Sequence, residues 1–598
     1  MTHLSRCATG AGARVWCFAM CSGQDLTPPL PPLTFALHHP SPPSSDIRAA
    51  LRLLHSLPST FPSLSPPPPR LFGLLTNRDW LLSSGDPDVV SIIREGAREM
   101  ARDGGRNLSN DVALAEAVMC LVMTNAVEVQ DKSGRMLGIA VYDSNFSWIN
   151  HSCSPNACYR FLFSDSNTAP FSNESNVRIV PGFFNGVETQ GESDVCSTSQ
   201  LKQGFERYDP TSPRIIVRSI KKINKGEAVT VAYTDLLQPK AMRQAELWSK
   251  YQFVCCCKRC SASPPTYVDC TLEEISAANL ELSLKFDSGD VNQKLTDYMD
   301  EVITEYLSVC DPEACCKKLE NLLNQGLLCE HLKTEEEKVV LNLRLHPLHH
   351  LALNAYTTLA SAYKIRSSDL LALKSDIDAH NREAFNMSRT SAGYSLLLAG
   401  ATDHLFQSET SLIASAANFW VSAGESLLTL ARSSGWNFFV KPGLPVSSSS
   451  LEKLKCSKCP LMDRLEVNSP AQNTDFENIS CNFLDCITNM TQKVWSSLTY
   501  GCAHLQTYKD PIDFSWLRKS PSLWDLQAHS SSIDEGSSYF ETEGSISTSE
   551  AQLYTEEVKV SIFQLGVHCL LYGRYLANIC YGENVHLTCQ IHNDLSRE

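Results

Sequence analysis

The stretch "SWINHSCSPNACYRF", Ser147 to Phe161, sets an amide, an imidazole, a hydroxyl and a thiol side by side at Asn150, His151, Ser152 and Cys153. Pro155 and Asn156 follow, and so many polar groups exceed what an ordinary turn requires. A second dense stretch, "YQFVCCCKRC", ends at Cys260. Within it Cys255, Cys257 and Cys260 have C-x-C-x-x-C spacing, which can wrap three thiolates around one ion. Zinc takes four soft or borderline ligands at the corners of a tetrahedron, and Cys153 is the natural candidate for the fourth. The same spacing also describes a cysteine-rich loop without metal, and Cys256 is left over as a stray thiol or a competing ligand. Most other cysteines stand singly, as Cys120, Cys196 and Cys502 do, and read as small buried hydrophobes. "CSKC" at Cys456 to Cys459, with Cys481 and Cys486 downstream, lacks the turn chemistry of a zinc knuckle and reads as thiols rather than a second metal site.

The elements that must position these groups follow from periodicity. Residues 27–70 are rich in proline and serine and predict extended chain around one short helix near Ile47 to Leu57. From Asn77 to Val122 the apolar spacing is helical, through "VSIIREGAREM" and "VALAEAVMCLVM", with Asp86 and Asn110 as caps. The period then changes. "AVEV" and "GIAVY" flank "QDKSGRM" and predict a hairpin with Gly134 in the turn. "RIIVRSI" and "AVTVAY" predict two further strands. Between them and the first dense stretch, Leu162 to Pro213 is polar and reads as a long surface insertion. From about Leu272 onward the texture is helical. Leu351, Ala355, Leu359 and Tyr363 share one face, and Leu412, Ala416, Phe419, Ala423 and Leu427 another. Small residues on these faces suit stacked helical hairpins. "AHSSSIDEGSSYFETEGSISTSEAQ" reads as an exposed acidic loop.

At 598 residues the chain exceeds one hydrophobic core and suggests roughly three or four domains. Its 66 acidic and 51 basic side chains, net −15, argue against a large nucleic-acid-binding surface, which needs clustered Lys and Arg. A basic protein partner remains compatible with that sign. No apolar run approaches the roughly 20 residues that span a bilayer, so no membrane is expected. The N-terminus has no apolar core like that of a secretory signal, and a reducing compartment follows as the default for the 24 cysteines. Arg6, Arg14 and the lack of acids there leave an organelle-transit peptide as the lesser reading.

In their order, "NHSCSPN", "KGEAVTVAY" and "FVCCCKRC" resemble a SET-domain protein lysine methyltransferase, in particular the SET-and-MYND (SMYD) branch and plant SET domain group proteins. The blocks span Met119 to Cys260. The resemblance implies an α+β fold, a SET-domain β fold with a knot-like crossing and a helical insert. An all-α tetratricopeptide-like C-terminal domain would follow. The corresponding boundaries are an atypical N-terminal segment holding a remnant of the first SET strands (1–70), a helical insert (71–120) and the SET core (121–236). That core carries a polar insertion at about 163–213, and a post-SET zinc segment (237–262) and the helical domain (263–598) complete the chain. S-adenosylmethionine would be the methyl donor, and the substrate a lysine of a histone or another protein, in the nucleus and/or cytoplasm. Residue by residue, Asn150 would bind the methionine end of the cofactor and the His151 backbone its adenine edge. Asn125 and Ser147 match further cofactor-contacting positions. Phe253 would close the pocket beside the cofactor and Tyr251 beside the lysine. Tyr233 matches the catalytic tyrosine, and Cys153, Cys255, Cys257 and Cys260 the structural zinc ligands. Outside such a motif, Asn150 and His151 would read as groups satisfying buried backbone, and Tyr233 as a half-buried strand aromatic.

Three departures qualify the resemblance. The glycine-rich opening turn of the family has only Gly10-Ala11-Gly12 to match it. Between Gln24 and Cys120 there is no cysteine, and His38, His39 and His55 cannot replace the ligand cluster, so the MYND zinc module is missing. The usual GEE becomes Gly226-Glu227-Ala228. An inactive SET-like scaffold that binds partners through its helical region is therefore the alternative to an active enzyme.

Overall fold

A computed structural model of the chain describes residues 45–56, 67–84, 87–103, 112–130, 136–140, 146–162, 178–180, 214–277, 288–332, 338–372, 378–439, 476–514, 517 and 554–582. The chain enters as helix α1 (Ser45–Ser56), a small hairpin of β1 (Arg70–Leu71) and β2 (Leu74–Leu75), and helices α2 (Arg78–Ser84), α3 (Pro87–Asp103) and α4 (Val112–Asn125). Pro87 opens α3 at a position where its missing N–H costs nothing. Ile93, Ala97 and Met100 recur along one side of α3, and most of α4, Leu114 to Val122 above all, is buried. Ala49, Ala50, Leu51, Leu53 and Leu54 of α1 join the same apolar cluster, so the helical unit starts ahead of residue 71. Gly96 lets the three helices close up, since a Cβ there would lie 3.1 Å from Met119 and 3.2 Å from Ile47.

The β elements are short. Strands β3 (Val127–Gln130) and β4 (Met136–Ala140) form the expected antiparallel hairpin, with a register shift at Val129/Gln130. Strand β5 (Asn150–His151) is followed by β6 (Ala157–Leu162), β7 (Arg178–Val180) and β8 (Arg214–Ser219), which lie in the order β6-β8-β7. β6 runs antiparallel to β8 and β7 parallel to it. β7 thus falls inside the stretch read as a polar insertion. β9 is only Thr230–Val231, parallel to β5 with Asn150 opposite Thr230 and His151 opposite Val231. Helices α5 (Lys240–Tyr251), α6 (Lys258–Ser261) and α7 (Tyr267–Leu272) then carry the chain through the cysteine-rich segment.

The remainder is helical with one correction to the all-α expectation. β10 (Ile275–Ala277), then α8 (Ser288–Val309) and α9 (Pro312–Gln325), precede β11 (Leu327–Leu332) and β12 (Lys338–Leu345); the three strands form an antiparallel sheet in the order β10-β12-β11. "LNLRL" in β12 alternates with period two, which suits one covered face. Helices α10 (His350–Ala372), α11 (Asp378–Ser408), α12 (Ile413–Ala431), α13 (Phe476–Thr499), α14 (Ala503–Gln506) and α15 (Glu556–Tyr581) complete it. α11 lies between α10 and α12, α15 packs on α12 and α13, and its far end reaches β6 and β8. One apolar cluster runs from Cys153, Leu236 and Leu247 through Val268 and Leu272 into these helices. The site and the helical region therefore share a core. Among the described residues no helix is long and apolar enough to cross a membrane. Asp86, Asn110, Gly134, Cys456, Cys459, the acidic loop and Gly10 to Gly12 lie outside the described residues.

Candidate functional site

The first dense stretch meets "AVTVAY" along the parallel pair β5–β9. Ser152 N donates to Val231 O at 3.1 Å, and Tyr233 N to His151 Nδ1 at 2.9 Å. With Nδ1 accepting, the imidazole proton resides on Nε2, which faces Cys153 Sγ at 3.2 Å. Asn156 clamps this strand pair. Its side chain accepts from Thr230 N and donates to Ala228 O, each at 2.9 Å, while its carbonyl accepts from Ile220 N at 2.8 Å. A buried amide is here doing the pairing of a backbone strand. The turn before β9 relies on Gly226 at φ +86°, and on Glu227, whose carboxylate accepts from Asn224 N at 3.0 Å.

An aromatic wall rises beside this pair. The Tyr233 and Tyr251 rings lie 4.9 Å apart, His151 and Tyr233 5.4 Å, and His151 and Phe253 6.0 Å. Tyr251 ends α5 and Gln252 adopts a left-handed conformation at φ 62°, which turns the chain back toward the cysteines. Tyr233 Oη donates a short hydrogen bond to Ile149 O, and burial pushes its phenol up to about 12. Burial raises Tyr251 as well, with the neighbouring Tyr159 and Tyr233 adding to the effect. Thr234 Oγ1 donates to Glu246 Oε2, tying the segment after Tyr233 to α5. Lys250 Nζ donates to Ala126 O at 3.1 Å and lies 5.1 Å from the Tyr251 ring centre, its pKa lowered by burial.

Cys153, Cys255, Cys257 and Cys260 converge, their four sulfurs all within 4.8 Å of one another. They are the only such group of potential ligands among the described residues. Tetrahedral zinc with Zn–S bonds of about 2.3 Å needs S···S edges of about 3.8 Å, so the donor set fits in number, type and spacing. Without a cation the thiols must share protons. The hydrogen bond from Cys153 pulls Cys255 and Cys257 down, while its bonds to those sulfurs and Cys260 push Cys153 up. Gln244 fixes Cys255 by a reciprocal pair, accepting from its N and donating to its O, both at 2.8 Å. Cys256 is exposed and stands outside the group.

The other expected residues are placed less uniformly. Asn150 is exposed at the edge of β5, and Ser147 is half-buried in a 3-10 turn, Phe146–Trp148. Asn125 commits both amide hydrogens, to Leu75 O at 2.8 Å and Leu121 O at 2.9 Å, which leaves only Oδ1 for a ligand. Cys481 is exposed and Cys486 buried, both on α13. Sequence reading passed over four groups that the fold brings to the site. Arg243 and Arg259 both pair with Asp269, behind the cysteines. Glu409 accepts from Ser154 Oγ at 3.1 Å and from Lys221 Nζ at 3.0 Å. Arg259 lay in plain view within "CCCKRC"; the others come from segments with no motif.

No family model matches the chain. It is similar to Protein SET DOMAIN GROUP 41 of Arabidopsis thaliana, 38% identical over 590 residues, covering 96% of this chain and 90% of that protein. It is also similar to N-lysine methyltransferase SMYD2-B of Danio rerio, 23% identical over 194 residues (32% of this chain, 33% of that protein). Histone-lysine N-methyltransferase SMYD1 of Homo sapiens is 25% identical over 141 residues, 23% of this chain and 21% of that protein. With its first similarity extending over nearly its whole length, the chain belongs to the SET-domain family, in its SMYD-like branch.

Proposed function

We propose that this protein transfers methyl groups from S-adenosylmethionine to lysine side chains of a protein substrate. The observation that carries the reading is the meeting of His151, Tyr233, Tyr251 and Phe253 on the β5–β9 pair, backed by the four cysteines. S-adenosylmethionine supplies an electrophilic methyl group on a positively charged sulfur. The exposed Asn150 amide, the His151 backbone, Ser147 and the free Oδ1 of Asn125 would hold it, and Phe253 would cover it.

The work left to the chain is alignment and desolvation. A free lysine has a pKa of about 10.4, so the amine must lose a proton before it can act as nucleophile. A channel walled by Tyr233 and Tyr251, next to a positive charge, disfavours the ammonium form and releases that proton to solvent. Because Tyr233 spends its own hydrogen on Ile149 O, the hydroxyl offers only lone pairs to the channel. It is thereby a fixed acceptor for the amine N–H and for the polarised methyl hydrogens. The four cysteines would hold a structural zinc that does no chemistry. It would join "NHSC" to the segment carrying Tyr251 and Phe253. The helical region, tetratricopeptide-like by resemblance, would gate substrate entry.

Calorimetric titration of the zinc-loaded protein with S-adenosylmethionine, beside an Asn150→Ala control, tests the reading. Saturable binding that the control loses is the expected result. Absence of heat from folded, zinc-loaded protein would leave the scaffold alternative in its place.

A further inference from the structure

The structure assigns a charge-balancing role to Arg243, Asp269 and Arg259: together they form the counter-charge that sets the metal affinity of the four-cysteine centre. The inference rests on the zinc reading of that centre and adds to it residues outside the motif.

All three side chains are buried, with Arg243 at 0%, Arg259 at 3% and Asp269 at 3% exposure. Asp269 Oδ1 accepts from Arg243 Nη1 at 2.8 Å and from Arg259 Nη2 at 2.7 Å; Oδ2 accepts from Arg243 Nη2 at 3.3 Å. Gln238 O, Leu236 O and the Cys153 carbonyl take up further guanidinium hydrogens. Apart from Arg243 Nε, which has no partner among the described residues, hydrogen bonding is well served, but charge is not. Two guanidiniums and one carboxylate leave a net +1 in a site closed to water, which is costly unless an anion faces it. The exposed Asp235 and Glu273 act on the guanidiniums from outside this closed group; inside it, what faces them is sulfur. Arg243 Nη2 lies 4.0 Å from Cys260 Sγ, and Arg259 touches Cys153 through its carbonyl at 3.4 Å.

Four thiolates around a dication carry −2, so the buried +1 and the metal centre compensate one another. The positive unit therefore attracts the metal-loaded centre, and Arg243 beside Cys260 Sγ is the contact through which it does so. It also links the cysteines to α7, whose Tyr267 Oη in turn meets His404 Nε2 at 3.0 Å on α11.

The test is zinc competition against a chromogenic chelator on the full chain, together with thermal stability, for a set of variants graded in charge. Arg243→Met takes the unit to zero and should weaken zinc about 10–100-fold, the usual cost of losing a group that supports a metal ligand. Asp269→Asn takes it to +2 and should not weaken zinc. The double variant Arg243→Met/Asp269→Asn returns it to +1, leaves no unpaired carboxylate, and should bind zinc nearly as the parent does. A packing role predicts another order, with zinc lost in proportion to stability and most in the double variant. That order, or an unchanged affinity in Arg243→Met, overturns the proposal. If Arg243→Met does not fold, the comparison of the double variant with the parent decides it. A parent protein that binds no zinc would remove the reading of the centre itself, and the proposal with it.

Discussion

At the scale of single residues, Tyr233 is the group whose geometry says most about its chemistry. Its hydroxyl is fixed by donation to Ile149 O, one residue before Asn150, and it stays a neutral phenol because burial pushes its pKa up to about 12. In the proposed reaction a phenol that donates elsewhere is an acceptor toward the substrate amine, and Tyr233→Phe deletes that acceptor while keeping the ring against Tyr251. Turnover should fall about 10²–10³-fold, the range for losing one preorganised polar group, with S-adenosylmethionine affinity nearly unchanged. Steady-state kinetics beside calorimetry checks both halves. The sign of the pH dependence follows from the same shift. A raised phenol pKa leaves the acceptor intact through pH 9, where the substrate lysine is increasingly neutral, so kcat should climb from pH 7 to 9 without a descending limb. A fall in that range that disappears in Tyr233→Phe would assign the ionising group to Tyr233 and contradict its burial. The motif residues were readable from sequence because each brings its chemistry within a few positions of its neighbours. What could not be read was commitment elsewhere. Asn125 looks like any polar residue after a helix until both its hydrogens are seen to hold Leu75 and Leu121.

At the scale of elements, the loop between β5 and β6 is held from two sides. Asn156 fixes it to β9 and to Ala228 just before it, and Glu409, at the junction of α11 and α12, fixes it to the helical region. Burial alone would raise the Glu409 carboxyl, yet the Ser411 hydrogen bond and Lys221 keep it below its usual range. Glu409→Gln should therefore loosen the turn that begins with Cys153-Ser154 and weaken S-adenosylmethionine binding a few-fold, on the order of 1 kcal/mol. Lys221→Met should do the same, and the double variant should cost no more than either alone, because the two act through one contact. Additive losses in calorimetry would mean that they act separately. This contact spans 255 residues and no spacing rule announces it. Local elements were far more legible. The β3–β4 hairpin, β8, α3 and α4 follow their periods. β9 shrinks to two residues because Ala232 and Tyr233 leave the ladder to reach the site. β10, β11 and β12 hid among helices, their alternation outweighed by the helical texture on both sides.

At the scale of the whole molecule, the shared core makes the helical region more than an appendage, and it carries several buried histidines. His504 is pushed down to about 3 and His346 to about 4 by burial, and His349 and His350 are lowered for the same reason. Each takes up its proton in the unfolded chain near pH 6.5 but refuses it when folded. The stability they allow is therefore complete above pH 6.5 and is lost as pH falls toward those folded values. The surroundings of His504 are phenols: its ring stacks on Tyr394 with planes 13° apart, lies 5.4 Å from Tyr508 and 5.8 Å from Tyr356. Among the described residues its Nε2 has no hydrogen-bond partner. His504→Phe keeps a ring of similar shape in that stack and removes both the unpaired nitrogen and the titration. At pH 7.5 the variant should match or slightly exceed the parent in urea. At pH 5, about 1.5 units below the unfolded pKa, its advantage should grow by about 2 kcal/mol. Urea midpoints at the two pH values, measured on parent and variant with the same slope, give that difference directly. An equal advantage at both would mean that His504 is already protonated in the folded core. The phenol cage argues against that, because among the described residues a charge there would have nothing to answer it.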